Sequence, residues 1–278
     1  MKKILTIIVA LVAASHFEIF AQSVGTYSEK VVLETPDVIF RQIDEHTWEG
    51  NGHLMAAESI YLVEGDKRAV LIDAGTRIKD LDKLVAKLTS KPVTLIITHV
   101  HPDHTGSAIN YFPSLYINAA DTVNIPQFMP DYKGEVKYLK DHEVIDLGNR
   151  QLTVIFTPGH TPGSTTFIDK EAGYGFSGDS FGSGNLLLTL PFSTLQNTCE
   201  RMLHCMERHN IQRLYPGHYY GQNAETQQRL KDMITICEDM LSGKRPVEDN
   251  PTPNKTLGLD KLVTDFGVRI NYNINCLK

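Results

Sequence analysis

From about residue 30 onward, short runs of β-type residues alternate with a few stretches of helical period. Residues 59–63 and 69–73 are two apolar runs joined across Glu64-Gly65-Asp66, the pattern of a hairpin. Over residues 78–88 the period changes, and Leu81, Leu84, Val85 and Leu88 fall on one helix face. Residues 93–98 return to β-branched, buried-strand character, and a short helix is predicted from near Ser107. Further strands are predicted at 115–118, 143–147, 151–157, 165–169 and 173–177. Two helices, 193–209 and 223–241, flank a strand at 213–215. The stretch 247–255, rich in Pro, Asn and charge, reads as a linker or surface loop, and 266–274 as a returning final strand. No repeat or low-complexity tract interrupts the order. Such alternation implies an α/β class in which functional loops gather at one edge of a sheet.

The first residues follow a different pattern. Lys2 and Lys3 precede an apolar run over residues 4–14, and Phe20-Ala21-Gln22-Ser23 follows, the order of a secretory signal. The run is too short to span a bilayer, and no cysteine lies near the cleavage region to carry a lipid anchor. Residues 1–22 are therefore expected to be an export signal, cut near Ala21 although Ile19 is larger than the residue usually preferred there. Residues 23–278 are expected to form one domain, periplasmic or secreted, with no membrane anchor.

Composition adds two exclusions. The 278 residues carry a formal charge of −6 and no dense Lys/Arg run, so the basic footprint of a nucleic-acid protein is missing. Four cysteines, Cys199, Cys205, Cys237 and Cys276, show no C-x-x-C spacing and receive no catalytic role. Cys199 and Cys205 face different directions on one helix. Either one could pair with Cys237 or Cys276, or all four could be buried thiols.

Candidate chemistry is concentrated after the strand 93–98, where His99-Val100-His101-Pro102-Asp103-His104 holds three histidines and a carboxylate. Imidazole is the commonest side-chain metal ligand. In extended chain His99 and His101 point the same way, and Pro102 disfavours helix at His101 and turns the chain, so Asp103 and His104 reach a second position. Three further loops follow predicted strands: Thr157-Pro158-Gly159-His160, Gly178-Asp179-Ser180 and Tyr215-Pro216-Gly217-His218. Together they offer five histidines and two aspartates, a set that suits two divalent ions, zinc first, with manganese or iron as alternatives.

A rival motif overlaps one of these loops. Gly178-Asp179-Ser180-Phe181-Gly182 fits the G-x-S-x-G elbow of serine hydrolases, with Ser180 as nucleophile and His218 as base. The elbow needs a helix directly after the serine, whereas Gly182, Gly184 and Asn185 predict an irregular loop. It would also leave His99, His101, His104 and His160 without a role.

With its H-x-H-x-D-H motif at His99, His101, Asp103 and His104, later His160, Asp179 and His218, and Asp73-Ala74-Gly75 after an apolar strand, the sequence resembles the metallo-β-lactamase superfamily. The likeness runs from about Val38 to His218. It implies an αββα sandwich with the metals at one edge. By that correspondence His99, His101 and His160 hold one ion, Asp103, His104 and His218 the other, and Asp179 bridges. Metal-bound water, its pKa lowered to about 7, would attack a carbonyl whose developing oxyanion the metals stabilise. Asp103 is the expected catalytic residue, hydrogen-bonded to the hydroxide and passing its proton to the leaving group. Asp73 reads either as a carboxylate orienting a ligand imidazole or as a turn-forming residue.

The departures from the family narrow the substrate. β-Lactamases proper place Cys or Ser where this chain has Asp179. Glyoxalase II-like enzymes carry a cation after that Asp, yet Gly182-Ser183-Gly184-Asn185-Leu186 has none, while Tyr220 matches their Tyr after the last His. Lactonases often have a Tyr where Gly182 stands, and flavodiiron oxidoreductases would have Glu in place of His101. The expectation is an exported binuclear hydrolase cleaving an ester, thioester or lactone of a small-molecule substrate. β-Lactamase-like amide hydrolysis, phosphodiester hydrolysis and non-catalytic ligand binding are the alternatives. His53 reads as a loop histidine, solvated or overhanging the site. His142, His204 and His209 read as surface or packed residues, and Cys205 with His209 as a metal pair lacking further ligands. Residues 125–138, with Phe128, Met129, Tyr132 and Tyr138, read equally as pocket lining or as packing.

Overall fold

A computed structural model describes residues 29–53 and 57–278; the expected export signal over residues 1–22 lies outside the described residues. Eight strands form the first sheet in chain order: β1 (Lys30–Glu34), β2 (Val38–Asp44), β3 (Thr47–Gly52), β4 (Ser59–Glu64), β5 (Ala69–Ile72), β6 (Val93–Ile96), β7 (Ser114–Ile117) and β8 (Glu135–Tyr138). The meander is antiparallel through β5 and parallel from there on. The second sheet has the order β14-β12-β11-β10-β9, built from β9 (Val144–Asp146), β10 (Gln151–Phe156), β11 (Thr165–Asp169), β12 (Tyr174–Gly178) and β14 (Arg213–Pro216). A third, four-stranded sheet joins β13 (Asn185–Leu187) to β17 (Val268–Tyr272), β16 (Leu259–Asp265) and β15 (Glu248–Asn254).

Strand alternation divides the layers. On β4 and β5, Tyr61, Val63, Val70 and Ile72 point inward and meet Val154, Phe167, Phe176 and Tyr215 of the second sheet. Ile60, Leu62 and Leu71 point outward, under helix α1 (Leu81–Val85) and the 3-10 turn Ser107–Tyr111. On the far side Ile155, Ile168 and Leu214 lie beneath α3 (Phe192–Arg208) and α4 (Gln227–Leu241), which follow the short α2 (Ile125–Phe128). The period of two sends alternate side chains to opposite faces, and the result is the αββα sandwich.

Several elements differ from the sequence reading. The helix expected over 78–88 contracts to α1: it starts late because Asp80 sits in the left-handed region at φ 53°, and past Val85 the N–H groups of Lys87 and Leu88 donate three residues back. The left-handed conformation costs about 1–2 kcal/mol, and burial of Leu81, Leu84 and Val85, at about 1.5–3 kcal/mol each, outweighs it. The helix expected from 223 begins only after Thr226, whose hydroxyl accepts the Arg229 N–H at 3.2 Å. Stretch 247–255, read as linker or surface loop, contains β15 instead. It is an edge strand whose pairing shifts between Asp249 and Asn254, across Pro251 and Pro253, and edges with bulges are where strands tolerate proline. Strands β1 to β3 are not among the predicted elements; in β3, Gly50 and Gly52 interrupt the alternation. Gly50 is required there, since a Cβ would lie 2.6 Å from the Phe40 ring.

The topology fixes where the functional loops meet. Asp73 follows β5, His99 to His104 follow β6, His160 follows β10, Asp179 follows β12 and His218 follows β14. Parallel pairing of β5 with β6 and of β12 with β14 sends these carboxyl ends to one edge of the sandwich. The Thr165 N–H donates to the Thr98 carbonyl at 2.9 Å and ties the two sheets there.

Candidate metal centre

The histidine loop is held by its backbone. Past β6 the Thr98 N–H donates to Asp73 Oδ1 at 2.7 Å, and the Val100 N–H donates to Asp121 Oδ2 at 2.8 Å. The chain then turns, with the N–H groups of His104 and Thr105 donating to the His101 carbonyl at 3.0 and 2.8 Å. The turn follows Pro102 as the sequence predicts, and it separates the ligand candidates into two groups.

The first group is His99, His101 and His160, all buried. His160 Nδ1–H donates to the Leu187 carbonyl at 2.7 Å. The Thr98 hydroxyl donates to Asp73 Oδ2 at 2.7 Å and so accepts from His99 Nδ1 at 3.1 Å. Both assignments leave a lone pair on Nε2, yet His99 Nε2 and His160 Nε2 face one another at 3.1 Å, and His101 Nδ1 lies 2.8 Å from His160 Nε2. The facing Nε2 lone pairs of His99 and His160 repel unless a proton or a cation sits between them, and His101 Nδ1 stands beside both. Burial, followed by the neighbouring histidines, lowers His99 well below the usual imidazole value and His101 to about 3. Burial also lowers His160. The three rings are neutral at pH 7, the form that ligates.

The second group is Asp103, His104, Asp179 and His218. His104 donates Nδ1–H to Asp73 Oδ2 at 2.8 Å. Its Nε2 lies 3.7 Å from Asp103 Oδ2 and 3.6 Å from Asp179 Oδ1. His104 Nε2 and Asp179 Oδ1 are both buried without a hydrogen-bond partner, and buried polar atoms are rarely left so. A divalent ion satisfies both at once, so the donor set fits a metal. His218 Nε2 lies 3.3 Å from Asp103 Oδ2 and 3.2 Å from Asp179 Oδ2. Asp179 Oδ2 is also 3.8 Å from His160 Nε2, which puts this carboxylate between the two groups. Burial opposes charge on His104, but Asp103, Asp73 and Asp179 outweigh it and hold the ring well above its ordinary value. The same balance, with Asp179 and Asp103, raises His218 to about 10. Burial would raise Asp103, yet His104 and His218 bring it down to about 2.

Asp73 fulfils both of its sequence readings: it turns the chain at φ 63° and orients His104 and Thr98. Asp121, in the 3-10 turn Ala119–Asn124, is a residue that sequence reasoning missed. Besides Val100 it accepts the Gly163 N–H at 2.7 Å and the Thr161 hydroxyl at 2.9 Å, fastening the His160 loop to the His99 loop. Burial raises its pKa. Its side chain also fills the space a Cβ on Gly163 would need, 2.6 Å away.

A cavity of about 600 Å³ opens over the ligands. Phe128, Leu187 and Tyr220 line it, and so do Asn254, Thr256 and Leu257 from the third sheet. Phe128 meets His101 edge-on at 5.2 Å between ring centroids, which resolves residues 125–138 as pocket lining at that position. Ser180 is buried and its hydroxyl pairs with that of Thr157 at 2.8 Å. A 3-10 turn, Gly182–Gly184, follows it rather than a helix, so the serine-elbow geometry is not met. His53 is half-buried and does not line the cavity. Cys205 and His209 gain no third metal ligand among the described residues. All four cysteines are free thiols, and burial pushes Cys237 up to about 12.

Residues 56–218 match the family model of the metallo-beta-lactamase superfamily. The acyl-coenzyme A thioesterase MBLAC2 of Homo sapiens is 30% identical over 213 residues, 62% of this chain and 76% of that protein. The hydroxyacylglutathione hydrolase of Synechococcus sp. (strain JA-3-3Ab) is 26% identical over 233 residues, 74% of this chain and 82% of the relative. Among solved structures, a metallo-beta-lactamase from Pontibacter korlensis has a TM-score of 0.58 at 16% identity, covering 73% of this chain and 100% of its own, a likeness of fold.

Proposed function

Because the chain belongs to the metallo-beta-lactamase superfamily, we propose that it is a binuclear metal-dependent hydrolase of a small-molecule thioester, ester or lactone. The observation that carries this reading is the pair of buried atoms His104 Nε2 and Asp179 Oδ1, 3.6 Å apart and without a hydrogen bond, beside three converging histidine nitrogens. Held by His99, His101 and His160 on one side and by Asp103, His104 and His218 on the other, with Asp179 between, two divalent ions, zinc by preference, would supply Lewis acidity and deprotonated water near pH 7. Asp103, ionised at neutral pH, accepts a hydrogen bond from the attacking oxygen and holds its proton for the leaving group. Phe128, Leu187 and Leu257 form an apolar wall for the acyl part. The relatives named as a thioesterase and as a hydroxyacylglutathione hydrolase support thioesters as the first class to try.

Metal analysis of the purified protein, combined with a panel of thioesters, lactones, β-lactams and phosphodiesters, tests the reading. Two ions per chain and selective acyl hydrolysis are expected. Turnover confined to β-lactams or phosphodiesters, or full activity after chelation, would overturn it. Export rests on the pattern of residues 1–22 and is tested by fractionating a bacterial host that expresses the full chain. Recovery of the intact, uncut chain from the cytoplasm would count against it.

The two ligand groups should also differ in their proton linkage. The three-histidine group is already neutral at pH 7, so an ion entering it displaces no proton from its ligands. His104 and His218 hold protons in the metal-free protein and must lose them to ligate, so affinity there rises with pH. Titration calorimetry of metal-free protein at pH 7, in buffers of differing ionisation enthalpy, should show more proton release with one equivalent of zinc than with the other. Equal release by both equivalents would contradict the assignment.

A further inference from the structure

On the outer face of the second sheet, away from the metal-ligand edge, a groove of about 280 Å³ lies between α3 and β10. Its walls carry Arg201, His204 and Arg208 from α3, His209 at the end of that helix, Lys170 from the β11–β12 turn and His142 from the turn before β9. No carboxylate lines it among the described residues. The chain as a whole has a formal charge of −6, so three cations and three imidazoles around one concavity are a local concentration and not the average of the surface.

Ordinary structural roles account for only part of this set. Cations in the last turn of a helix complement its dipole, which explains Arg208 and His209. Arg201 pairs with Asp141 at 3.3 Å, and His142 lies 3.6 Å from the same carboxylate. Lys170 and His142 belong to other elements and owe nothing to the helix end. Among the described residues neither Lys170 nor Arg208 makes an ion pair. Desolvation, then the charges of Lys170 and Arg208, hold His209 below its ordinary value, consistent with a positive field in the groove.

We propose that this groove binds a phosphate-bearing anion. A carboxylate presents two oxygens in a plane and is served by a single guanidinium fork. Donors arriving from α3, from the β11–β12 turn and from the turn before β9 suit a tetrahedral group with oxygens on several sides, with Arg supplying a fork and Lys a point charge. The groove is smaller than the usual site for a drug-sized ligand, so the phosphate group enters and the remainder of the ligand stays outside. The source is a soluble phosphorylated compound or a phospholipid headgroup.

Isothermal titration of inorganic phosphate into the full-chain protein and into the double variant Lys170→Ala/Arg208→Ala tests this. Both side chains are exposed, so the melting temperature should not move. Saturable binding is expected in the parent and binding weaker by about tenfold or more in the variant. Co-sedimentation with phosphatidylcholine vesicles, with and without phosphatidylglycerol, separates the sources. Retention on phosphatidylglycerol that the variant loses identifies a headgroup, and phosphate binding without retention identifies a soluble compound. Absence of saturable phosphate binding in the parent, or equal affinity in parent and variant, would overturn the proposal.

Discussion

Replacing Asp103 by Asn is expected to lower kcat for acyl hydrolysis by about a hundred- to ten-thousand-fold, the range for loss of a positioned proton-transfer group. The fold should survive, because the carboxylate stands in a turn at the cavity wall with its side chain 23% exposed, and the amide has the same shape. What changes is charge. Asp103 is ionised well below neutral pH through His104 and His218, and Asn offers those rings no anion. The second metal position should therefore weaken too, so kcat is to be measured at saturating zinc with the metal content determined alongside. A variant holding two ions with its kcat lost places Asp103 in proton handling. A variant that recovers full activity with added zinc reduces Asp103 to a ligand, and one fully active at parental metal content removes it from the centre.

Ligand candidates were legible in sequence because each sits within a few residues of a strand end, where one short loop carries both position and chemistry. Five strands ending at one edge bring distant positions together without any long-range signal being needed. Elements that went unread share a different property. Strands β2 and β3 pack Phe40 over Gly50, so their identity depends on a cross-strand contact and not on local alternation. Asp121 acts through two backbone N–H groups and a hydroxyl on other loops, and no spacing rule announces a carboxylate that serves backbone. The wall formed by Asn254, Thr256 and Leu257 comes from the end of an edge strand interrupted by two prolines and from the turn that follows it, a composition that reads as loop until its partner strand is known. Substrate discrimination depends on walls of this kind. Substrate class was consequently less legible than the reaction.

Gly217→Ala should be nearly as damaging as Asp103→Asn although it alters no candidate ligand. A Cβ at this position would fall on Asp179 Oδ1 and lie 2.7 Å from His104 Cε1. The backbone cannot withdraw, because the Gly217 N–H donates to the Gly178 carbonyl at 2.8 Å and its carbonyl accepts the Ser59 N–H at 2.6 Å. Gly217 has no positive φ, so alanine suits the local conformation and the whole effect arises from crowding. Asp179 and His104 must move, and both carry a buried atom, Oδ1 and Nε2, that makes no hydrogen bond. A displacement of about 1 Å at a reacting centre lowers rates by about a hundredfold. The expected result is a loss of at least that size, with one ion retained by His99, His101 and His160 and the other lost. Gly159→Ala is the control, since its Cβ would meet only the side-chain ends of Leu195 and Leu188 at 3.3 and 3.9 Å and should leave both ions in place. Equal activity and equal metal content in the two variants would show that Asp179 does not hold a metal from its present position, and the bridging role would fall with it.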